Sequence, residues 1–414
     1  MELYVHIPFC VSKCRYCDFY SLPCVKKSAP VAGVYIEALM KELAARKGEI
    51  ADKKLTSIFI GGGTPSILTC NELEELFTGI YKELDIDVEW LKNTGKSGNA
   101  VPEITIECNP GTLDREKLTL MRQLGVNRLS IGLQSAIDSE LAELGRIHTF
   151  GEFLKNYESA RELGFGNISV DLMSGIPGQT ADSCRKSLET VAGLAPEHIS
   201  TYSLILEEGT PLYNDVMSGK TELPGEDSDR EMYELTGRVL AAHGYMRYEI
   251  SNYAKTGFEC RHNIGYWTGE EYLGIGPAAA SYLGAEQIDG PAASGQTDGP
   301  AAASYLGAGQ VMFRYKNPND LKAYMENPSG VRCIEERLER KDLMSEFMIL
   351  GLRLVRGVSK ADFLKRFGES PEDVYGDVIN KQVKLGLLED RDDYIALTSR
   401  GLDLANSVMC EFMP

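Results

Sequence analysis

The sequence predicts an α/β fold, in which a partial (β/α) barrel is followed by a small, mainly helical, winged-helix-like domain. Between residue 2 and about residue 250, short β-branched segments alternate with amphipathic helical segments. Apolar strands that alternate with helices predict a parallel sheet covered by helices, and about six such units curve into a barrel or part of one. The predicted strands are LYVHI (3–7), SIFIGGG (57–63), EITIEC (103–108), NRLSIGLQ (127–134), NISVDLM (167–173), HISTYSL (198–204) and MRYEI (246–250).

Helices between these strands are predicted from the spacing of their apolar residues. Three of them are NELEELFTGIYKEL (71–84), DREKLTLMRQLG (114–125) and FLKNYESARELGF (153–165). In this architecture, functional sites collect at the carboxyl ends of the strands. The polar segments HIPFC, GGGTPS, ECNP, GLQ and DLMSGIPGQT each end or follow a predicted strand, so we expect one shared site there.

The chain divides into three regions by pattern. We predict a barrel domain over residues 1–255, a connecting segment over 256–330 and a C-terminal domain over 331–414. The last region has more acidic than basic side chains, so packing or partner docking is expected of it rather than DNA binding. Its predicted elements are helices in LERKDLMSEFMILGLRLVR, SKADFLKRFG and PEDVYGDVINKQVKLG, a strand pair around LLEDRDDYIALT, and a helix in SRGLDLANSVMCEF.

Composition narrows the class of protein. The chain has 414 residues and a formal net charge of −18, with 61 acidic against 43 basic side chains. Nucleic-acid recognition needs a basic face, so nucleic-acid partners are not expected. No segment approaches the ~20 apolar residues that span a bilayer, and the first predicted strand starts too early to leave room for a signal peptide. We therefore expect a cytoplasmic protein without an integral membrane segment.

Three of the ten cysteines are clustered in the segment HIPFCVSKCRYCDFYS (6–21). Cys10, Cys14 and Cys17 form a CxxxCxxC array, and Phe19 stands where a further thiol could follow. Thiolates suit zinc, copper(I) or iron–sulfur clusters, and a structural zinc site normally takes four protein ligands. A four-iron cluster held by three cysteines leaves one iron open to the amino group and carboxylate of a small molecule such as S-adenosylmethionine (SAM). Zinc is the alternative for the motif taken alone, and Cys24 is an outside candidate for a ligand.

The segments around these cysteines resemble a known family. A CxxxCxxC loop after a first strand, followed by the glycine-rich GGGTPS (61–66), resembles the radical-SAM superfamily. The segments YVHIPFC, KCRYCDF, GGGTPS, IECNP, RLSIGLQS, LGRIHT and DLMSGIPGQT also occur in the order found in the HemN/HemW family. The resemblance is specific over about residues 1–255 and looser beyond them. It implies a 4Fe–4S cluster bound by Cys10, Cys14 and Cys17, with a SAM site beside it.

The resemblance also implies which residues contact SAM. They are Tyr4, Gly62, Gly63, Thr64, Glu107, Gln134, Arg146 and Asp171. Arg146 suits the methionine carboxylate through a bidentate pair, and Gln134 and Asp171 suit the ribose hydroxyls. Tyr16, between two of the cysteines, could flank the adenine. Taken singly, Arg146 or Asp171 is more often part of a surface or structural ion pair.

Three features separate the branches of this family. HemN-type members are oxygen-independent coproporphyrinogen III oxidases with a further cysteine two residues after the third and a longer N-terminal arm, whereas HemW-type members are haem chaperones. Here Phe19 occupies the position of that cysteine, and the sequence starts at its first predicted strand. RHNIGYW (261–267) looks like the HNxxYW motif of the haem chaperones. The resemblance therefore implies haem bound through His262, with Tyr266 and Trp267 against the porphyrin.

We interpret the sequence as that of a haem chaperone, which binds a 4Fe–4S cluster, SAM and haem and passes the haem to apo-haemoproteins. The alternative is a coproporphyrinogen III oxidase that carries out radical-SAM decarboxylation in haem biosynthesis. A third hypothesis is a radical-SAM enzyme with another substrate. For His262, the ordinary interpretation is a histidine bonded to backbone and flanked by two core aromatic residues.

A short repeat interrupts the connecting segment. GPAAASYLGA occurs at residues 276–285 and again at 299–308, and the intervening residues are polar or rich in Gly, Ala and Pro. Solenoids need several repeats to bury a core, so a single tandem duplication is the economical explanation. We expect one copy to form a flexible surface loop.

The duplicated segment should be dispensable for folding. Deletion of residues 285–307 joins GIGPAAASYLGA to GQVMFRYKN, and the spacer has few large apolar groups to offset an ordering entropy of about 1–2 kcal/mol per residue. The deletion variant should keep its melting temperature within a few degrees and retain its cluster and SAM. Limited proteolysis of the full chain should cut first between residues 285 and 299. A segment as protease-resistant as the barrel, or a deletion that unfolds the protein, would show that both copies belong to the core.

Overall fold

A twelve-stranded sheet forms the centre of the molecule. The computed structural model describes residues 1–24, 29–50, 53–87, 89, 91, 101–284, 311–330 and 332–414. The strands are, in chain order, β1 (Glu2–Ile7), β2 (Phe9–Cys10), β3 (Leu22–Pro23), β4 (Ser57–Gly62), β5 (Glu103–Cys108), β6 (Arg128–Gln134), β7 (Ile168–Ser174), β8 (His198–Ser203), β9 (Met246–Arg247), β10 (Asn252–Ala254), β11 (Tyr272–Ile275), β12 (Ala280–Gly284), β13 (Met312–Lys316), β14 (Cys333–Leu338), β15 (Val358–Ser359), β16 (Leu388–Asp390) and β17 (Tyr394–Leu397). The helices are α1 (Ala29–Arg46), α2 (Cys70–Glu83), α3 (Arg115–Gln123), α4 (Asp138–Glu143), α5 (Phe150–Glu162), α6 (Ala181–Gly193), α7 (Pro211–Met217), α8 (Glu226–Ala242), α9 (Arg261–Trp267), α10 (Leu321–Glu326), α11 (Arg340–Gly351), α12 (Lys360–Phe367), α13 (Pro371–Lys384), α14 (Ser399–Asp403) and α15 (Ala405–Cys410).

Six strands of the sheet are parallel and follow one another in chain order, β1-β4-β5-β6-β7-β8. The pairing of β1 with β4 runs from Glu2 opposite Ser57 to Ile7 opposite Gly62. Because the strands are parallel and paired in order, their carboxyl ends meet at one edge of the sheet. The predicted α/β fold with a partial (β/α) barrel is confirmed.

The barrel strands continue into antiparallel strands at both edges. On one side β11 pairs with β1 in parallel, and β12, β13 and β14 continue from it with antiparallel pairing. On the other side β10 and then β9 follow β8. The segment between the predicted domains thus contributes strands to the same sheet, while the predicted loop of the duplication falls on residues 285–310, outside the described residues. The division into three domains stays a prediction.

One predicted strand is too long. Strand β9 ends at Arg247, whose guanidinium donates hydrogen bonds to the carbonyls of Glu249 and Ile250 and so folds back on the following residues. The chain turns there and returns to the sheet as β10. The expected strand over 246–250 is therefore wrong beyond its second residue.

Threonine residues begin several helices that cover the barrel. Thr69, Thr149 and Thr180 form capping boxes at the starts of α2, α5 and α6, which satisfies the free N–H groups of the first turn. Each helix then buries an apolar face in the main core, with residues such as Phe77 and Phe153 fully covered. These helices connect consecutive parallel strands and hold them in order.

The C-terminal region has its own core. Helices α11 to α15 and a small sheet, β15-β17-β16, enclose Met348, Phe363 and Ile395. Tyr282 and Met312, from β12 and β13, belong to the same core, so this region packs directly on the extension of the barrel sheet. Helices followed by the β16–β17 hairpin lie where a winged-helix-like domain was predicted, although β14 and β15 were not predicted and the last expected helix is two short ones.

Candidate functional site

The three clustered cysteines lie at the carboxyl end of β1. Cys10 ends β2, and Cys14 and Cys17 lie in the loop that follows. The Thr64 hydroxyl donates to Cys10 Sγ at 3.4 Å, and Arg146 Nη1 donates to Cys14 Sγ at 3.4 Å. All three thiols are free and half-buried, so a ligand can reach them from outside the barrel.

The glycine-rich loop after β4 is bonded directly to the start of the cysteine segment. The Gly63 N–H donates to the Ile7 carbonyl at 2.8 Å, and the Thr64 N–H donates to the Phe9 carbonyl at 2.7 Å. A Cβ atom at Gly63 would stand 2.7 Å from the Phe9 carbonyl oxygen, so glycine is needed for this approach. The two loops that the sequence placed together are thus joined by backbone hydrogen bonds.

Arg15 anchors the middle of the cysteine loop to the far side of the barrel. Its guanidinium pairs with Glu143 at 3.2 Å and with Asp215 at 2.5 Å. Its backbone N–H donates to the Leu144 carbonyl, and its carbonyl accepts from the Leu212 N–H. The loop is therefore fixed to α4 and α7 before any ligand binds.

The cysteines fit a 4Fe–4S cluster. Burial raises the pKa of the Cys10 and Cys17 thiols, so both are protonated in the metal-free protein. Because metals bind thiolates, these protons are released when a metal binds. Within the described ranges, no three His, Cys, Asp or Glu side chains converge closely enough for one metal ion. In a 4Fe–4S cluster each cysteine binds a different iron atom, so the three thiols do not need to converge on one point. Cys24 packs half-buried against the main core and bonds Cys10 only through its backbone N–H, at 2.7 Å.

Two half-buried acidic residues, Glu107 of β5 and Asp171 of β7, lie inside the barrel. Glu107 Oε2 accepts from the Gly62 N–H at 3.0 Å, and Asp171 accepts from Ser130 and Ser169 at 3.3–3.4 Å. Burial, and then the charge of Asp171, raise the pKa of Glu107 to about 7; burial also raises the pKa of Asp171. This pair presents acceptors for the amino group or hydroxyls of a small molecule.

Gln134 and Arg146 flank Gly132 of β6, the strand between those that carry Glu107 and Asp171. Gln134, the last residue of β6, has a φ of 76°, a left-handed backbone conformation that is uncommon outside glycine. A Cβ atom at Gly132 would lie 3.1 Å from Gln134 Nε2 and 3.3 Å from Arg146 Nη2, so the absent side chain leaves a space between them. Arg146 Nη2 donates to the Gly132 carbonyl at 2.5 Å, Nε is buried without an acceptor among the described residues, and Tyr16 lies beside the guanidinium. A carboxylate or amide of a ligand would complete these bonds.

Tyr4 lies deeper in the barrel than the other residues expected around SAM. Its hydroxyl is hydrogen-bonded to His6 Nδ1 at 3.0 Å, and its ring stacks on Phe59 and His262 with centroids 6.3 and 6.4 Å away. The structure therefore brings together Gly62, Gly63, Thr64, Glu107, Gln134, Arg146, Asp171 and Tyr16 near the cysteines, with Tyr4 below them. Their roles toward SAM stay predictions.

His262 lies on α9 at the opposite end of the barrel. Its Nδ1 is hydrogen-bonded to Ser57 Oγ at 2.8 Å and its Nε2 to the Tyr266 hydroxyl at 2.9 Å, while its ring stacks on Phe59. The residue is 2% exposed, and burial, with the nearby charge of Arg128, lowers the pKa of His262 to about 3. Both ring nitrogens are thus engaged, by side chains rather than by the backbone of the ordinary interpretation. Haem ligation by His262 stays a prediction, and it requires one of these bonds to break.

Helix α9 closes the amino ends of the barrel strands. Glu103, the first residue of β5, accepts from the backbone N–H groups of Arg261 and His262 at 3.2 and 3.3 Å and so holds the start of the helix. Gly265 passes so close to Glu2, the first residue of β1, that a Cβ atom there would lie 2.0 Å from its carboxyl oxygen. Burial raises the pKa of Glu2 to about 9, so this carboxyl group is protonated near neutral pH. The HNxxYW-like segment is therefore built into the barrel floor.

Several polar residues of the barrel interior were not predicted. Arg128 and Ser130 alternate with Leu129 and Ile131 in β6, before the register shift between Gly132 and Gln134. Ser169 and Asp171 likewise alternate with apolar residues in β7, and the Ser169 hydroxyl donates a hydrogen bond to Asp171. This period-two alternation was available in the sequence and indicates that the inner face of these strands is polar.

Comparison with known proteins shows the class of protein to which the chain belongs. Residues 4–191 match the Radical SAM superfamily, and residues 338–404 match the HemN C-terminal domain. The structure of coproporphyrinogen III oxidase (HemN) from Escherichia coli superposes with a TM-score of 0.77 at 21% identity, over 99% of this chain and 89% of that chain. At that identity the likeness shows the fold alone. The chain is a radical-SAM protein with a HemN-like fold.

The relatives by sequence define the family. The haem chaperone HemW of Bacillus subtilis is 35% identical over 412 residues, which cover 99% of this chain and 98% of the relative. HemW of Lactococcus lactis is 36% identical, with 99% and 96% covered, and HemW of Escherichia coli is 31% identical, with 100% and 98% covered. The chain belongs to the HemW family.

Replacement of His262 should destabilise the fold. His262→Ala leaves Ser57 and Tyr266 without a buried partner and opens a cavity beside Phe59, at an expected cost of about 2–4 kcal/mol in the free energy of unfolding. The matched control is His243→Ala, because His243 is exposed at the end of α8 and bonds only the Val239 carbonyl of its own helix. That variant should lie within about 0.5 kcal/mol of the parent. Denaturant unfolding measures both, and equal stabilities would contradict the buried network described for His262.

Arg146 should be required for SAM affinity. If its free hydrogen-bonding capacity takes the methionine carboxylate, Arg146→Gln should weaken SAM binding by about 1.5–3 kcal/mol. Calorimetric titration of cluster-loaded protein provides the measurement, and iron content with the visible spectrum verifies that the cluster is intact. Unchanged SAM affinity in a folded, cluster-loaded variant would remove Arg146 from the SAM site.

Proposed function

We propose that this protein is a haem chaperone, which binds a 4Fe–4S cluster and SAM at the carboxyl ends of its barrel strands and delivers haem to apo-haemoproteins. Similarity over nearly the whole length to proteins named haem chaperone HemW carries this proposal. The HemN C-terminal domain and the radical-SAM region are both present in the expected order.

The residues of the carboxyl-end site suit these cofactors. Cys10, Cys14 and Cys17 would hold the cluster, and their loop is kept in place by Arg15. When bound, the cluster supplies an open iron that can take the amino group and carboxylate of SAM. Around that position the side chain of Arg146 offers donors, and Glu107, Asp171 and Gln134 offer acceptors.

The alternative function is that of a coproporphyrinogen III oxidase, which the HemN-like fold also accommodates. Phe19 is evidence against the oxidase function. In the oxidases a further cysteine is expected at this position, and here the phenylalanine side chain is 71% exposed at the edge of the cysteine loop. We therefore expect haem binding without conversion of coproporphyrinogen III.

We also propose that the protein acts in the cytoplasm. None of the ten cysteines forms a disulfide, which is typical of a reducing compartment. Among the helices that the structure describes, none has both the length and the apolar character of a membrane span. The excess of acidic over basic side chains disfavours nucleic acid as a partner.

Cysteine variants and substrate assays test this function together. Cys10→Ala, Cys14→Ala and Cys17→Ala should each abolish the broad visible absorbance of the cluster, whereas Cys24→Ala should keep it. Reconstituted wild-type protein, given SAM and reductant anaerobically, should bind added haem and should leave coproporphyrinogen III unchanged. Formation of protoporphyrinogen would establish the oxidase instead, and loss of the cluster in the Cys24 variant would show that its ligands had been misassigned.

A further inference from the structure

A cavity of about 220 Å³ lies between α9 and the C-terminal domain, on the outer side of the barrel floor. Its walls are largely aromatic: Tyr266 and Trp267 of α9, Tyr272 and Tyr282 of the sheet extension, and Phe347 of α11. Tyr266 meets Tyr272 edge to face at 4.7 Å, and Tyr272 stacks on Tyr282 at 6.2 Å. Such walls favour a flat apolar ligand.

A guanidinium group without a carboxylate partner stands in this cavity. Arg366 Nη1 donates to the Gly269 carbonyl at 3.0 Å and Nη2 to the Tyr282 hydroxyl at 3.4 Å, and both acceptors are neutral. Arg314, the other cavity arginine, already pairs with Glu346 at 2.9 Å and also with Glu336. Arg366 therefore has no ion-pair partner in the described part of the chain; of the two carboxylates that also line the cavity, Glu346 pairs with Arg314 and Glu270 with the N-terminal ammonium.

Trp267 contributes its ring rather than its indole N–H to the cavity wall, because Nε1 is buried. The Arg353 guanidinium carbon lies over this ring, 4.3 Å from its centroid. Aromatic walls together with the Arg366 guanidinium fit a planar aromatic ring system that carries a carboxylate.

We propose that this cavity receives the propionate-bearing edge of haem, with a propionate paired to Arg366. The inference rests on the proposed haem-chaperone function and names the place and the contacts of the haem. The cavity is smaller than the roughly 300–1,000 Å³ of sites that enclose a whole ligand, so it admits an edge of the macrocycle and leaves the rest outside. A haem held in this way remains open to transfer to a second protein.

The placement also explains why the HNxxYW-like segment has two faces. His262 faces the barrel and is bonded to Ser57, whereas Tyr266 and Trp267 line the cavity. The Tyr266 hydroxyl connects the two sides, because it bonds His262 Nε2 while its ring forms part of the cavity wall. In this arrangement His262 is a positioning residue, and the aromatic residues and Arg366 contact the haem.

Haem and its dimethyl ester, which lacks the free carboxylates, provide the test. Absorbance titrations should show that wild-type protein binds ferric haem about tenfold more tightly than the diester, as one charge-assisted hydrogen bond allows. Arg366→Gln should bind haem about tenfold more weakly than wild type and should no longer distinguish the two ligands. The matched control is Arg391→Gln, which changes an exposed arginine paired with Glu389 in the same domain and should behave as wild type.

Each outcome decides the proposal. A folded Arg366→Gln variant that keeps the preference for haem, or a wild-type protein that binds both ligands equally, would overturn the assignment of the cavity and leave the chaperone function standing. Wild-type protein that binds neither ligand would overturn the function and the assignment together. If Arg366→Gln does not fold, Leu350→Trp fills the cavity from α11 and keeps Arg366; it should abolish haem binding, and retained binding would contradict the proposal.

Discussion

The parallel pairing of β1 with β4 is the constraint on which the other features depend. It sets Ile7 opposite Gly62 at one end and Glu2 opposite Ser57 at the other. At the first end, the cysteine segment and the glycine loop leave neighbouring strands side by side and are joined through Gly63 and Thr64. At the second end, Glu2 and Ser57 form the floor on which α9 is seated. One register therefore builds both the cluster site and the support of the HNxxYW-like helix.

The barrel interior is polar along its length, and its two ends are organised differently. Near the cysteines, the charge of Asp171 adds to burial in raising the pKa of Glu107, and both side chains are half-buried. Near the floor, His262 is neutral because it is buried, and Glu2 is protonated for the same reason. His262, with both ring nitrogens hydrogen-bonded, suits a structural plug, whereas an unsatisfied group beside the cysteines, such as Arg146 Nε, suits a binding site.

Sequence reasoning predicted the parallel strands and the shared site well, because apolar strands and glycine-rich turns have local signals. It did not predict that Arg247 turns the chain, or that β11 would pair with β1, because these depend on contacts made after folding. The position of α9 was likewise out of reach, since the partners Ser57 and Glu103 are distant in sequence. The polar inner face of β6 was predictable from its alternation and was missed because the strand was treated as continuously apolar.

The central claim is that the clustered cysteines and the HNxxYW-like segment, the proposed haem site, lie at opposite ends of the barrel. Strand β1 connects the two ends with six residues, which span about 16 Å at about 3.3 Å per residue. Pulsed electron–electron dipolar spectroscopy can measure this separation between the reduced cluster and cobalt(II) protoporphyrin, a paramagnetic substitute for haem that tolerates reducing conditions. The structure predicts a distance of at least about 16 Å. A separation below about 10 Å, with strong coupling between the two spins, would place the porphyrin over the cluster and contradict the account.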